Sequence, residues 1–284
     1  MNILLTGATG LLGKRIIKKL NNEHVVAGLT TSQQGVELLE TLHTKAYLGD
    51  IRNQAFVLEM VQDFQPDLII HQVTSLKQLN SADNAAIREV GTKNLVEAAL
   101  ACQVPKIISQ SISWAYEPGT TPATEETTLD LLAQAPRQTT IHGIAQLEAQ
   151  TKRLENHVIL RYGALYGPET WYDHTGYIYQ QFMDNQATVS QGVTNFIHVD
   201  DAVDACLAAI TLPTGTYNIV DDEPASGPTW APYYAAQVGV EVTPTYVPGA
   251  TFERAVSNEK YKKHGGQLSY PSWREGMKQT DSIH

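Results

Sequence analysis

Gly7, Gly10 and Gly13 stand three residues apart in Thr6-Gly7-Ala8-Thr9-Gly10-Leu11-Leu12-Gly13, where an apolar run gives way to a helix-like one. Residues of this type at this place bind phosphate. Glycine at a strand-to-helix turn takes backbone angles that side chains forbid. The second glycine lets a diphosphate approach the main chain, and the third lets the helix pack close to the strand. The first N–H groups of the helix, at the positive end of its dipole, then face the anion. The predicted cradle is Gly7, Thr9, Gly10, Leu11, Leu12 and Gly13.

The elements that must hold this cradle are legible around it. Ile3, Leu4 and Leu5 form a short apolar run of the kind a buried parallel strand needs. Leu12, Ile16, Ile17 and Leu20 share one helical face, with Lys14, Arg15, Lys18 and Lys19 on the other. Further strand-like runs at 24–29, 45–48, 67–71, 106–110 and 157–161 alternate with helix-like stretches such as 53–64 and 91–102. The alternation predicts an α/β fold, a doubly wound parallel sheet covered on both faces. The pattern degrades over 168–195, returns at 196–210 with a strand at 216–220, and turns irregular and proline-rich from 222. The expected division is therefore a nucleotide domain at 1–167, rejoined by 196–221, and a small C-terminal lobe within 168–284 that faces the substrate.

A net charge of −10 over 284 residues argues against nucleic acid as a partner, because phosphate backbones need a basic surface. Cys102 and Cys206 fall in helix-like stretches without metal-ligand spacing, so no metal site is expected. No apolar run is long enough to span a bilayer and no leader pattern is seen, which makes the cytoplasm the expected location.

The motifs, taken in order, resemble the extended short-chain dehydrogenases/reductases, the NAD-dependent epimerase/dehydratase group that includes UDP-galactose 4-epimerase. Thr6 to Gly13 resembles its T-G-x-x-G-x-x-G, and Pro66 to His71 its P-D-x-V-I-H strand. Gly91-Thr92-Lys93-Asn94-Leu95 resembles G-T-x-N-L, Leu160 to Pro168 resembles L-R-x-x-x-x-Y-G-P, and Phe196 to Asp201 resembles F-I-H-V-D-D. Tyr217-Asn218-Ile219 resembles the late Y-N-I strand. The resemblance implies a Rossmann fold, a small-molecule substrate, and cofactor contacts from Asp50 and Ile51 and from Gln72 and Val73. It leaves the oligomeric state open, with a homodimer through the 91–102 helix as an arrangement relatives often use.

The departures concern the chemistry. In the family a hydroxyl polarises the substrate oxygen, Tyr exchanges its proton, and Lys four residues later holds the nicotinamide ribose and lowers the Tyr pKa. His142 and Gln146 stand where Tyr and Lys belong, and none of the thirteen tyrosines has Lys four residues on. Arg88 stands where relatives commonly carry Asn. The implied catalytic set is Ser111, with Ser113 as the other register, His142 and Gln146. A phenol near pKa ~10 needs a cation to act near neutrality, whereas imidazole titrates near ~6.5 unaided. His198, Asp200 and Asp201 are read as structural, the acids suiting a helix start.

Two functions follow. One is an NAD(P)H-linked oxidoreductase or epimerase acting on a polar carbonyl or hydroxyl compound. The other is a catalytically silent NADP(H)-binding sensor or regulatory protein. In NAD-preferring relatives an acid ends the second strand; here Thr30, Thr31 and Ser32 offer hydroxyls and no carboxylate, which favours NADP over NAD. Residues 168–253 contain no Lys or Arg, which argues against a nucleotide-sugar substrate.

Overall fold

The computed structural model describes residues 1–278 apart from 22, 75–80 and 242, and the side chains of 81 and 82 also lie outside the description. No candidate site residue falls among them. The chain forms two compact units, one of residues 1–111, 131–160 and 206–216, the other of 112–130, 161–205 and 217–284.

The first unit starts with strand β1 (Asn2–Thr6), helix α1 (Leu11–Leu20), β2 (Val25–Thr30), α2 (Gln33–Thr41), β3 (Lys45–Leu48), α3 (Gln54–Phe64) and β4 (Leu68–His71). There follow α4 (Ser81–Ala86), a π-helical turn (Ile87–Gly91), α5 (Thr92–Ala101), β5 (Lys106–Ile112) and α6 (Arg137–Thr151). Along the chain then come β6 (His157–Tyr162), β7 (Ala164–Tyr166), α7 (Tyr177–Met183), β8 (Thr188–Ser190), β9 (Val193–Thr194), β10 (Phe196–His198), α8 (Val199–Ala208) and β11 (Gly215–Ile219), of which β7 to β10 belong to the second unit. The central sheet has seven strands in the order β11-β6-β5-β4-β1-β2-β3. β1 runs parallel to both β2 and β4, and β4 parallel to β5. The chain order reverses beside β1, which makes the carboxyl ends of β1 and β4 a topological switch point where ligands of such sheets bind. Ile3, Leu4 and Leu5 are fully buried, as a strand covered on both faces requires.

α1 buries Leu12, Ile16, Ile17 and Leu20, the face expected from its spacing. Each strand expected in the sheet is present, with ends moved by one or two residues; β2 begins at Val25 and β5 runs on to Ile112. The helix expected at 91–102 is α5 with each end moved by one residue, and Gly91 closes a π turn before it.

The second unit continues with β12 (Ala225–Ser226), α9 (Gly227–Gln237), β13 (Thr245–Val247), α10 (Glu259–Lys263) and α11 (Trp273–Lys278). Its strands pair in twos, β7 with β10, β9 with β12 and β8 with β13. Its core is aromatic, with Tyr166, Phe182, Phe196, Trp230, Tyr234 and Trp273 buried together. Asp201 lies in the first turn of α8, and its carboxylate accepts from the backbone N–H of Ser269 at 2.7 Å and Tyr270 at 2.9 Å. His198 Nδ1 accepts from the Asp200 N–H at 3.2 Å, and its ring lies 3.8 Å from that of Tyr270. These groups tie down the chain at 269–270.

Candidate active site

The glycine loop follows β1 directly. Gly7 has φ +74°, and a Cβ there would fall 2.6 Å from the carbonyl carbon of Gln72. Only glycine allows the loop to lie on the chain leaving β4. A Cβ on Gly13 would sit 2.2 Å from the Gly7 carbonyl oxygen, so α1 also packs too close for any side chain. Gly10 is the N-cap of α1 and, having no side chain, leaves the first N–H groups of the helix without a side-chain cap. Those groups need an acceptor from outside the helix. A dinucleotide diphosphate fits this cradle in charge and in the close approach the glycines permit. Thr9 and Leu11 are half-buried at its rim, while the Leu12 side chain belongs to the core. Leu12 therefore contributes main chain only.

His71 holds the base of the loop. It ends β4, its Nδ1 lies 2.7 Å from Thr6 Oγ1, and its Nε2 lies 2.9 Å from Thr92 Oγ1. Burial lowers its pKa to about 4, so the ring is neutral and serves as a strut between β1, β4 and α5. Gln72 follows, buried, with its N–H on the Thr6 carbonyl at 3.0 Å and Nε2 3.7 Å from Cys206 Sγ. Val73 is half-buried beside it.

At the end of β2, Thr30 Oγ1 accepts from the Ser32 N–H at 3.4 Å, and Ser32 Oγ caps α2 by accepting from the Gly35 N–H at 3.1 Å. Both hydroxyl oxygens act as acceptors in these contacts. Thr31 is exposed. Asp50 is held by Arg52, whose guanidinium donates from Nε at 3.0 Å and Nη2 at 2.6 Å. That contact lowers the Asp50 pKa, and the carboxylate is an ionised acceptor. Ile51 is buried and its carbonyl accepts from Asn94 Nδ2 at 3.1 Å.

α6 carries the residues expected to do chemistry. His142 and Gln146 are exposed and four residues apart, on one face of the helix. Ser111 is elsewhere. It is 1% exposed and donates to Glu148 Oε1 at 2.7 Å. Glu148 lies about 240° around the helix from His142, on the buried side. The structure thus brings His142 and Gln146 together and turns Ser111 away from them. Ser113, the other register, is also buried. Lys152 stays with Glu148 at 3.9 Å and brings no cation to the exposed face.

Sequence reasoning missed three parts of the site: the Thr6–His71–Thr92 strut, Glu148, and the burial of Arg88. Arg88 lies in the π turn, 6% exposed, with its Cδ placed 3.6 Å from where a Cβ on Gly143 would be. Its type at that position is the one signal the sequence carried. Among the described residues no cluster of His, Cys, Asp and Glu could hold a metal, and no helix is long and apolar enough to cross a membrane.

The chain is 31% identical to the 3-diazoavenalumate denitrifying reductase of a Streptomyces species, over 98% of this chain and 99% of that protein. It is 25% identical to methionine adenosyltransferase 2 subunit beta of Rattus norvegicus, over 72% of this chain and 60% of that one. Among solved structures, UDP-glucose 4-epimerase of Thermotoga maritima with UDP-glucose shares the fold at TM-score 0.80 and 21% identity, over 99% of this chain and 98% of that one. The Bordetella bronchiseptica enzyme WbmG in complex with NAD does so at TM-score 0.83 and 20% identity, over 99% and 93%. Residues 3–219 match the family described as the NAD dependent epimerase/dehydratase family. With its glycine cradle and switch-point sheet built for NAD(P), this chain belongs to the NAD-dependent epimerase/dehydratase family.

Proposed function

We propose that the protein is an NAD(P)H-dependent reductase of a diazo compound that bears a carboxylate. The observation that carries this reading is the exposed His142–Gln146 face of α6 in the same unit as an intact cradle. Reducing a carbonyl leaves an alkoxide, which needs a proton from a tuned acid as hydride arrives. A diazonium nitrogen is already cationic and takes hydride with no proton. The hydride forms an N–H bond and gives a diazene. The diazene then loses N₂ as that hydrogen passes, as a proton, to the carbon that carried it. The net change is one hydride and one proton-neutral loss of N₂, with NAD(P)H oxidised to NAD(P)⁺. A family member acting on such a compound has no use for a Tyr that gives a proton or for a Lys that tunes it. The likeness along nearly the whole chain to a protein named for denitrifying a diazo carboxylate supports the same reading.

The bound dinucleotide supplies the hydride. The chain's own residues hold its diphosphate at Gly7, Gly10 and Gly13 and its adenosine near Asp50 and Ile51, with Gln72 and Val73 under the loop. Gln146 offers an uncharged hydrogen bond on the nicotinamide side, and Ser111 fixes α6 to β5 through Glu148. Thr30, Thr31 and Ser32 can donate to a 2′-phosphate, and no acid ends β2 to repel it, so NADPH is the preferred donor. Tighter binding of NADH than of NADPH would refute that preference.

The test uses a cinnamate carrying a ¹⁵N-labelled diazonium group on its ring. The expected result is one labelled N₂ released per NADPH oxidised. A protein that binds NADPH but releases no N₂ is instead a sensor or regulatory subunit. A protein that reduces aldehydes or ketones faster than the diazonium is an ordinary carbonyl reductase. Either result overturns the proposal.

A further inference from the structure

Arg88 is a charged side chain buried without a counter-charge among the described residues. It is 6% exposed, and its pKa is lowered to about 10 by burial alone, with no carboxylate contributing. Asp83, in the preceding helix α4, is engaged by Arg52 at 3.1 Å. A guanidinium held this way is costly unless something anionic meets it.

Its place in the fold says what that something is. Thr92, the first residue of α5, meets His71 at the carboxyl end of β4. Thr92 thus sets the start of α5 at the carboxyl edge of the sheet, and Arg88 lies four residues earlier, in the π turn that leads to it. That is the side of a doubly wound sheet on which ligands bind. On α6 its neighbour is Gly143, which adjoins His142 and precedes Gln146 by less than a turn. Gly143 has no side chain, and a Cβ there would also lie 3.2 Å from Ala85 Cα, so the π turn and α6 are in close contact at this point. A π turn inside an otherwise regular helix is itself a feature found often at functional sites. The cofactor's diphosphate is accounted for by the glycine cradle, and its nicotinamide ribose carries no charge. The anion left to meet Arg88 is the substrate's.

We propose that Arg88 is the ligand for a carboxylate of the substrate, held as a two-pronged pair with the guanidinium beside the His142–Gln146 face. The inference rests on the reading of the site as one that reduces a carboxylate-bearing compound. A planar fork suits a carboxylate better than a point charge does. The arrangement holds the negative end of the substrate at the π turn while hydride goes to its positive end. It also means the protein keeps a destabilising residue for the sake of binding.

The test uses the full chain loaded with NADP⁺, and cinnamate and cinnamamide as probes, which share a shape and differ in charge. Titration calorimetry on the native protein should show cinnamate bound roughly tenfold or more tightly than cinnamamide. Arg88→Met should erase that difference and leave NADP⁺ affinity within about twofold. Arg88→Lys should keep part of it. The unliganded Arg88→Met protein should melt no lower than the native one, because an unmet charge has been removed. Equal affinity of the native protein for the two probes would overturn the proposal. So would an unchanged cinnamate preference in Arg88→Met, or a fall in NADP⁺ affinity that matches the fall for cinnamate. The probes carry no diazo group, so loss of diazo reduction and loss of carboxylate binding are read separately.

Discussion

A histidine buried between two threonine hydroxyls, with burial lowering its pKa to about 4, takes a second proton only at a cost to the fold. His71 is neutral when folded and titrates near 6.5 when unfolded, so the unfolded chain binds more protons between the two values. Its contribution is complete above about pH 6.5 and is lost as pH falls through about 4, for roughly 3 kcal/mol at 1.36 kcal/mol per pKa unit. Asp221 works in the opposite direction. Burial raises its pKa to about 8, so its contribution fades as pH rises from its unfolded value through about 8. Comparing His71→Asn with the native protein by urea unfolding cancels the Asp221 effect. The native advantage should shrink on acidification from pH 7 to 4, and a pH-independent difference would contradict the strut. Gly7→Ala joins an unfavourable φ to a backbone clash and should cost about 1–3 kcal/mol and abolish dinucleotide binding. Intact NADPH affinity in that variant would remove the loop from the site.

Elements decide which residues meet. Helix α6 carries His142 and Gln146 outward and Glu148 inward, and β5 delivers Ser111 to the inward side. Ser111→Ala should therefore lower stability by about 1–3 kcal/mol, since it leaves a buried carboxylate oxygen without its donor, while NADPH affinity stays the same. A large loss of turnover with unchanged stability would restore Ser111 to the chemistry. The glycine loop was legible because its requirements are local: three residues, one strand and one helix close together in sequence. The pair formed by Ser111 and Glu148 was not, because it joins a strand to a helix 37 residues later and depends on which way each is turned. The burial of Arg88 was hidden for a related reason. The π turn that places it lies ahead of the stretch that reads as a helix, and hydrophobic periodicity does not register one extra residue in a turn. The structural reading of His198 and Asp201 gains a partner that spacing could not name: the chain at 269–270, hydrogen-bonded to Asp201 and with the Tyr270 ring against His198.

For the whole molecule, alternating strands and helices were enough to give a parallel sheet covered on both faces, while the strand order that sets the switch point is seen only in the structure. The second unit was harder to read. Its strands run two to three residues outside the central sheet, and its core is built from aromatic rings at irregular spacing. Such a core has no helical or strand period to detect. The two kinds of information meet in the function: a cofactor cradle fixed by local glycines, and an altered chemical face identified by what is absent from it. Gln146→Lys should return a ribose-holding cation to that face and tighten NADPH binding, without conferring carbonyl reduction, since no tyrosine stands at 142.

The most direct test is the pH dependence of hydride transfer in a single turnover, followed by loss of NADPH absorbance with the diazonium cinnamate as acceptor. A cationic acceptor that needs no acid predicts a rate that is flat between about pH 6 and 9 and unchanged in His142→Phe. A rate that changes with pH over that range, and that disappears in His142→Phe, would mean the imidazole delivers a proton with the hydride and would contradict the account.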